Sequence, residues 1–284
     1  MTVIAYCILA HKEPERVARL INCIKTPTDF IYVHFNKIIG KERFSSWKQL
    51  IEQKCPNANL KVTSDVLCKW GSFGNVESTL NAMQHYESIN YDYFINLSGE
   101  CYPIKPINVI KSTFAGQTTA FMEFFELPSP FWGNGGMNRI QNRHYFILYN
   151  GKLKIIRIPR LNKKLPFNLK PFGGSQWFCL PKQLVTYILQ FVNQNKSIKK
   201  FYERTLIPDE MFFQTILINS PFRSQICNNN LRYINWDGSK EGHPKYLTKS
   251  DFDRIINCNK LFARKFSLSV DKDILDLIDQ KLIN

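Results

Sequence analysis

Short apolar runs alternate with stretches whose apolar residues recur at helical spacing, and this alternation dominates the first hundred residues. Val3-Ile4-Ala5-Tyr6-Cys7-Ile8-Leu9-Ala10 is continuous and apolar, the pattern of a strand buried on both faces. Val17, Leu20, Ile21 and Ile24 follow at the spacing of one helix face. Phe30-Ile31-Tyr32-Val33-His34-Phe35 predicts a second strand, residues 42–53 a polar helix, and Val66-Leu67-Cys68 a short strand. Asn75 is placed to cap a helix running to His85, and Tyr93-Phe94-Ile95-Asn96-Leu97 predicts another buried strand. Regular alternation of strand and helix predicts an α/β fold with a mainly parallel central sheet flanked by helices. Ligands of such sheets bind at the carboxyl ends of the strands, which singles out the loops after Ala10, Phe35, Cys68 and Leu97.

The middle of the chain is less regular. Residues 146–149 and 152–156 flank Asn150-Gly151, a dipeptide suited to a tight hairpin turn. Residues 157–171 read as a basic loop, Gln176 to Leu180 as a strand, and Pro181 as the opening of a helix. Pro208-Asp209-Glu210 begins another helix, continued by Met211, Phe212 and Thr215, and two helices near 249–256 and 271–282 close the chain. No repeat or linker interrupts the 284 residues, so one domain over 1–284 is the simpler reading.

Composition narrows the chemistry. Lysine and arginine total 38 against 23 aspartates and glutamates, and a formal charge of +15 points to nucleotide phosphates, nucleic acid or an anionic membrane face. No nucleic-acid reader motif occurs, so nucleic acid is not the expected partner. Glycine fingerprints for dinucleotides and the P-loop are absent, as is the serine nucleophile elbow. The 8 cysteines are scattered without CxxC spacing and read as reduced thiols rather than a zinc site. Lys163-Lys164 and Lys199-Lys200 read as solvated surface. Asp251-Phe252-Asp253 and Asp271-Lys272-Asp273 fall at helix starts and read as dipole-favoured acids. The position after Leu97 carries Gly99-Glu100-Cys101, a poor magnesium or manganese site, so no metal is expected. A diphosphate bound here needs cations in place of the metal. Lys245, Lys249, Arg254, Arg264 and Lys265 are available, with Lys249 and Arg254 read as decorating exposed helices.

Several strings stand in a telling order: residues 4–12, Tyr32-Val33-His34-Phe35-Asn36, Trp70-Gly71 with 76–82, and residues 93–99 with Tyr102-Pro103-Ile104-Lys105. Gly174-Ser175-Gln176-Trp177-Phe178, Pro208-Asp209-Glu210, Trp236 with His243-Pro244-Lys245, and residues 261–266 complete the series. Together they resemble, nearly end to end, the core 2/I-branching N-acetylglucosaminyltransferases and the related peptide O-xylosyltransferases. That resemblance implies a GT-A-type, Rossmann-like fold with the nucleotide-binding part over about 1–115 and the acceptor and catalytic part over about 116–284. It implies inverting transfer from a uridine diphosphate sugar without cofactor or metal. Glu210 becomes the general base, with Asp209 serving the helix start. Lys245 and Lys265 become the diphosphate clamp, assisted by Arg264. Trp70 lies against the uracil ring and the backbone at Ile8 lines the base. Asn36 and Cys101 stand where relatives carry aspartate, which leaves the donor pocket altered. Glu123, Arg139 and Trp236 match acceptor-contacting positions, the indole of Trp236 suiting the apolar face of a sugar.

The expected activity is therefore transfer of N-acetylglucosamine to a glycan or lipid-linked oligosaccharide. A xylosyltransferase of the same family and a non-catalytic glycan- or nucleic-acid-binding protein are the alternatives. Relatives of eukaryotic origin carry a membrane anchor and stem, and this chain, which opens on its first strand, is expected to work without them. The expected placement is cytoplasmic, peripheral to the inner membrane face through contact with anionic lipid, in the building of a bacterial surface glycan.

Overall fold

The first apolar run forms β1 (Ile4–Ala10), whose residues Ile4 to Ile8 are fully buried. A strand with no polar side chain to offer to water must be paired on both edges and covered on both faces. In the computed structural model, which describes residues 2–161, 164–237 and 243–283, neighbouring strands and helices do this. The helix α1 (Pro14–Ile24) follows, opened by a proline that sits well in a first turn, then β2 (Phe30–Phe35) and the polar helix α2 (Lys41–Lys54). Next come β3 (Asn59–Thr63) and, later in the chain, β4 (Tyr93–Ser98) and the short β5 (Tyr102–Pro103). The order is β4-β1-β2-β3 and every pair is parallel, as the alternating pattern predicts.

One strand is misplaced by the sequence reading. Val66-Leu67-Cys68 does not form a strand, and β3 lies just before it. β3 is a polar edge strand in which only Val62 is buried, so its hydrophobic signal is weak.

The chain gathers into two compact units, residues 1–65, 90–118 and 231–284 in the first, and 66–89 and 119–230 in the second. In the first unit, strand Arg232–Ile234 pairs in parallel with Phe262–Arg264, which pairs antiparallel with β5. That small sheet brings the basic residues 264–265 toward the loop after β4, where the Phe266 amide donates to the Glu100 carbonyl at 3.0 Å.

Buried His34 in β2 has its Nε2 3.5 Å from Asp65, yet burial outweighs that carboxylate and lowers its pKa to about 4. A folded-state value below the unfolded 6.5 means that folding favours the neutral ring. Its stabilisation is present above pH 6.5 and is lost as pH falls toward 4, about 3 kcal/mol in all. Urea unfolding at pH 7 and at pH 4.5 should show a steeper loss in the native chain than in His34→Gln; equal losses in the two would remove the assignment.

In the second unit, Ala120–Met122 pairs in parallel with Ile226–Cys227 and antiparallel with Phe178–Pro181. Helix Lys182–Gln194 packs against Phe178–Pro181, Gly74–His85 and the wholly buried helix Phe212–Ile218. The hairpin is longer than its sequence signal, Asn142–Tyr149 with Lys152–Pro159, so residues 157–159 are strand rather than loop. Asn150 and Gly151 adopt φ of 48° and 72°, the left-handed pair a two-residue hairpin turn requires.

Pro208-Asp209-Glu210 does not open the helix behind it. These residues form a separate 3-10 turn, and Met211 at φ −140° interrupts the path before Phe212–Ile218. Asn75 is not a cap either: the helix is Gly74–His85 with Phe73 at the capping position. The acids of the Asp-x-Asp strings do serve helix starts. Asp251 forms a capping box with Thr248, and Asp271 accepts from the amides of Asp273 and Ile274. Lys163 lies outside the described residues, and Lys199 sits 3.4 Å from Glu77.

Candidate active site

Parallel strands end with their carbonyls at one edge, and the loops that leave β1 and β4 there carry Lys12 and Glu100. Lys12, two residues after β1, donates to the Glu100 carboxylate at 2.9 Å and to the Tyr246 hydroxyl at 2.8 Å. The Tyr246 hydroxyl donates in turn to Glu100 at 3.3 Å. Arg264 approaches the other Glu100 oxygen at 3.8 Å, and the Lys265 ammonium stands 4.5 Å over the Tyr246 ring. The Leu247 amide donates to the Lys265 carbonyl, which ties the segment carrying Lys245 and Tyr246 to that carrying Arg264 and Lys265.

Three cations thus surround one buried carboxylate. Burial raises the Glu100 carboxyl, but the hydrogen bond and charge of Lys12, reinforced by Arg264 and Arg16, outweigh it and hold the group below the ordinary range. Lys265 is held below its ordinary range as well. Burial lowers it, the attraction of Glu100 opposes this, and the charges of Arg264 and Lys12 add to the lowering. The excess positive charge, only partly answered by Glu100, suits this cluster to an incoming anion of multiple charge.

The second unit holds the acid cluster. Glu210 ends the 3-10 turn with its side chain about one-third exposed, and its Oε2 accepts from Arg139 Nη1 at 2.8 Å. Among the described residues none donates to Oε1. The Arg139 guanidinium lies 3.6 Å from the centre of the Trp132 ring. Trp132 fits there because two glycines leave room: a Cβ at Gly136 or Gly173 would come within 2.5 Å of the indole. Phe125 closes the slot edge-on at 4.9 Å.

Asp209 behaves differently from its neighbour. It is buried and accepts from the Asn75 side chain at 2.9 Å. Burial, with the charge of Glu210, raises its pKa to about 6. Its bond to Asn75 ties the turn that carries Glu210 to the helix Gly74–His85.

The remaining residues implied by the resemblance divide between the units. Asn36 directly follows β2, and its side-chain oxygen accepts from the Ile38 amide at 3.2 Å. Ile8 is fully buried in β1, paired in register with Val33 and Leu97. Lys245 and Trp236 are exposed, in the first unit with Arg264 and Lys265. Trp70 is 58% exposed in the second unit, where the neighbouring Gly71 carbonyl accepts from the Ile207 amide at 2.8 Å. Glu123 accepts from the buried Asn230 side chain at 2.9 Å, and Arg139 is spent on Glu210. Cys101 is buried, with its sulfur 3.3 Å from the Ser98 hydroxyl. Sequence reasoning missed Lys12, Tyr246 and Trp132. Lys12 stood inside the first quoted string and Tyr246 beside Lys245, whereas nothing in the sequence marked Trp132. Among the described residues no group of three or more histidines, cysteines or acids is placed to hold a metal ion.

Comparison with known proteins adds the family. The sequence profile described as Core-2/I-Branching enzyme matches residues 4–256. A beta-glucuronosyltransferase of Arabidopsis thaliana is 30% identical over 204 residues, 70% of this chain and 44% of that protein. Xylosyltransferase 2 of Mus musculus is 26% identical over 300 residues, 97% of this chain and 33% of that protein. Xylosyltransferase 1 of Homo sapiens is 26% identical over 306 residues, 98% of this chain and 30% of that protein. The chain spans less than half the length of these relatives. Among solved structures, apo-form glycosyltransferase GlyE of Streptococcus pneumoniae aligns over 94% of this chain and 55% of its own, with a TM-score of 0.41 and 10% identity.

Proposed function

The chain belongs to the core-2/I-branching enzyme family of glycosyltransferases, and from that premise we propose that it transfers a sugar from a uridine diphosphate donor to a glycan hydroxyl with inversion, without a metal. One observation carries the reading: Glu210 is held through one carboxylate oxygen by Arg139 while no described residue occupies the other. A general base needs both properties, a fixed orientation and a lone pair open to the proton it takes.

In the proposed step the acceptor oxygen attacks the anomeric carbon and Glu210 takes its proton. The bond from that carbon to the β-phosphate oxygen breaks, and the electron pair leaves with UDP. Lys265 and Arg264, assisted by Lys12 and Lys245, stabilise the charge that develops on the diphosphate. Trp70 and Asn36 are assigned to the uridine, Trp236 and Glu123 to the acceptor. Arg139 is assigned to the base rather than the acceptor. N-acetylglucosamine is the sugar that the first resemblance implies, while the relatives named above bring xylose and glucuronic acid into the same trial. UDP release from the three UDP-sugars in the absence of acceptor ranks them, and the fastest identifies the donor.

The metal-free clamp has its own test. Lys265→Ala should weaken UDP binding by about 10- to 100-fold, the equivalent of losing one charge-assisted contact of about 1.5–3 kcal/mol. Calorimetric titration with EDTA present throughout measures it. Unchanged affinity, or binding that requires added manganese, would reject the clamp. A lipid-linked acceptor at an anionic membrane is supported by the +15 charge. No helix among the described residues is long and apolar enough to cross a membrane.

A further inference from the structure

A two-stranded hairpin alone is marginal in water, and this one is tied to the second unit by Lys69 Nζ, which donates to the Phe146 carbonyl at 2.8 Å, by Arg204 over the Tyr145 ring, and at its base. There the His144 amide donates to the Arg204 carbonyl at 2.9 Å. Buried Arg160, just past the second strand, donates to the carbonyls of Asn142, Phe201 and Arg204 at 2.9 to 3.0 Å. Toward the turn the register puts Tyr145, Ile147 and Tyr149 opposite Ile156, Lys154 and Lys152, all on one face. Ile147, Tyr149, Ile156 and Ile158 on that face are each 44% to 58% exposed. Lysines on an open hairpin discourage edge pairing, but that does not explain four bulky apolar neighbours in water.

The surrounding sequence supplies the second observation. No aspartate or glutamate occurs between Glu126 and Glu203, and that stretch carries 13 of the 38 lysines and arginines. An apolar face carried on a stretch whose only charged side chains are positive fits one kind of surface, an anionic lipid interface. Aliphatic and tyrosine side chains enter its acyl boundary while lysines stay at the headgroups. Nucleic acid offers isoleucine nothing comparable, because its binding surfaces stack aromatic rings on bases.

We propose that the Ile147–Tyr149–Ile156–Ile158 face of the hairpin, with Lys152 and Lys154, docks the protein onto an anionic membrane surface. This surface is independent of the catalytic assignment, and UDP titration of each variant keeps the two apart.

The test is co-sedimentation of the full chain with vesicles of phosphatidylcholine alone or with about one-third phosphatidylglycerol. Partition should rise at least ~10-fold on the anionic vesicles. Ile147→Ser/Tyr149→Ser and Lys152→Glu/Lys154→Glu should each remove most of that gain and leave UDP affinity unchanged. The control Lys54→Glu/Lys61→Glu, which reverses two exposed lysines in the first unit, should keep it. Equal partition on both vesicles overturns the proposal, as does an equal loss in the control, which would mean unspecific charge. Sedimentation velocity showing a dimer that the hairpin variants dissociate, with vesicle binding untouched, would assign the face to a second copy of the chain. Single-stranded DNA bound with the same variant sensitivity would overturn it in favour of nucleic acid.

Discussion

Glu210→Gln is expected to lower kcat by about 100- to 10,000-fold, the usual worth of a positioned general base, while UDP affinity changes by no more than a few-fold. The substitution is nearly isosteric. The amide oxygen of glutamine can still accept from Arg139 Nη1, so the turn and the Trp132 shelf keep their geometry. What disappears is the ability to take a proton from the acceptor. A KM near the native value beside a collapsed kcat is therefore the signature, read from steady-state rates of UDP formation with acceptor present. Native kcat in the variant would remove Glu210 as the base. A glycan-binding protein without catalysis would show no UDP formation in either form, so the native chain itself separates that alternative.

Lys111→Met is expected to cost about 3–5 kcal/mol of folding stability. Lys111, on helix Ile107–Phe114, donates to both oxygens of Asp29 at 2.9 Å, and both residues are buried. Asp29 also accepts from the Ile4 amide at 2.8 Å and the Thr26 hydroxyl at 2.6 Å, where β1 begins and β2 is approached. Methionine fills the space of the lysine stem but leaves that carboxylate without a counter-charge. Lys111→Met/Asp29→Asn should recover much of the loss, because an amide can still accept from Ile4 and needs no cation. Urea denaturation of the three chains measures it, and a loss below about 1 kcal/mol in the single variant would show that Asp29 finds water or another partner.

Much of the framework was legible in the residues. A strand buried on both faces has to be apolar throughout, so β1, β2 and β4 announce themselves by composition. The Asn150-Gly151 turn does so by its demand for positive φ, and the acids at 251 and 271 by their match to the helix dipole. β3 escaped because an exposed edge strand buries little, and the 3-10 turn at Pro208 escaped because proline opens either kind of turn.

The site divides along the same line. The ordered motifs sufficed to name the family and to single out Glu210 and Lys265 as candidates, because the kinds of residue a reaction requires are written locally. Their partners are not, because side-chain pairing depends on distances in space that the chain sets only when folded. Arg139 lies 71 positions from Glu210, and Lys12 lies 234 from Tyr246. Tertiary structure alone decided that Arg139 holds Glu210 and that Glu100 sits among the cations. It also decided that Asp209 braces a turn, being turned inward while Glu210, one residue along the same turn, faces solvent.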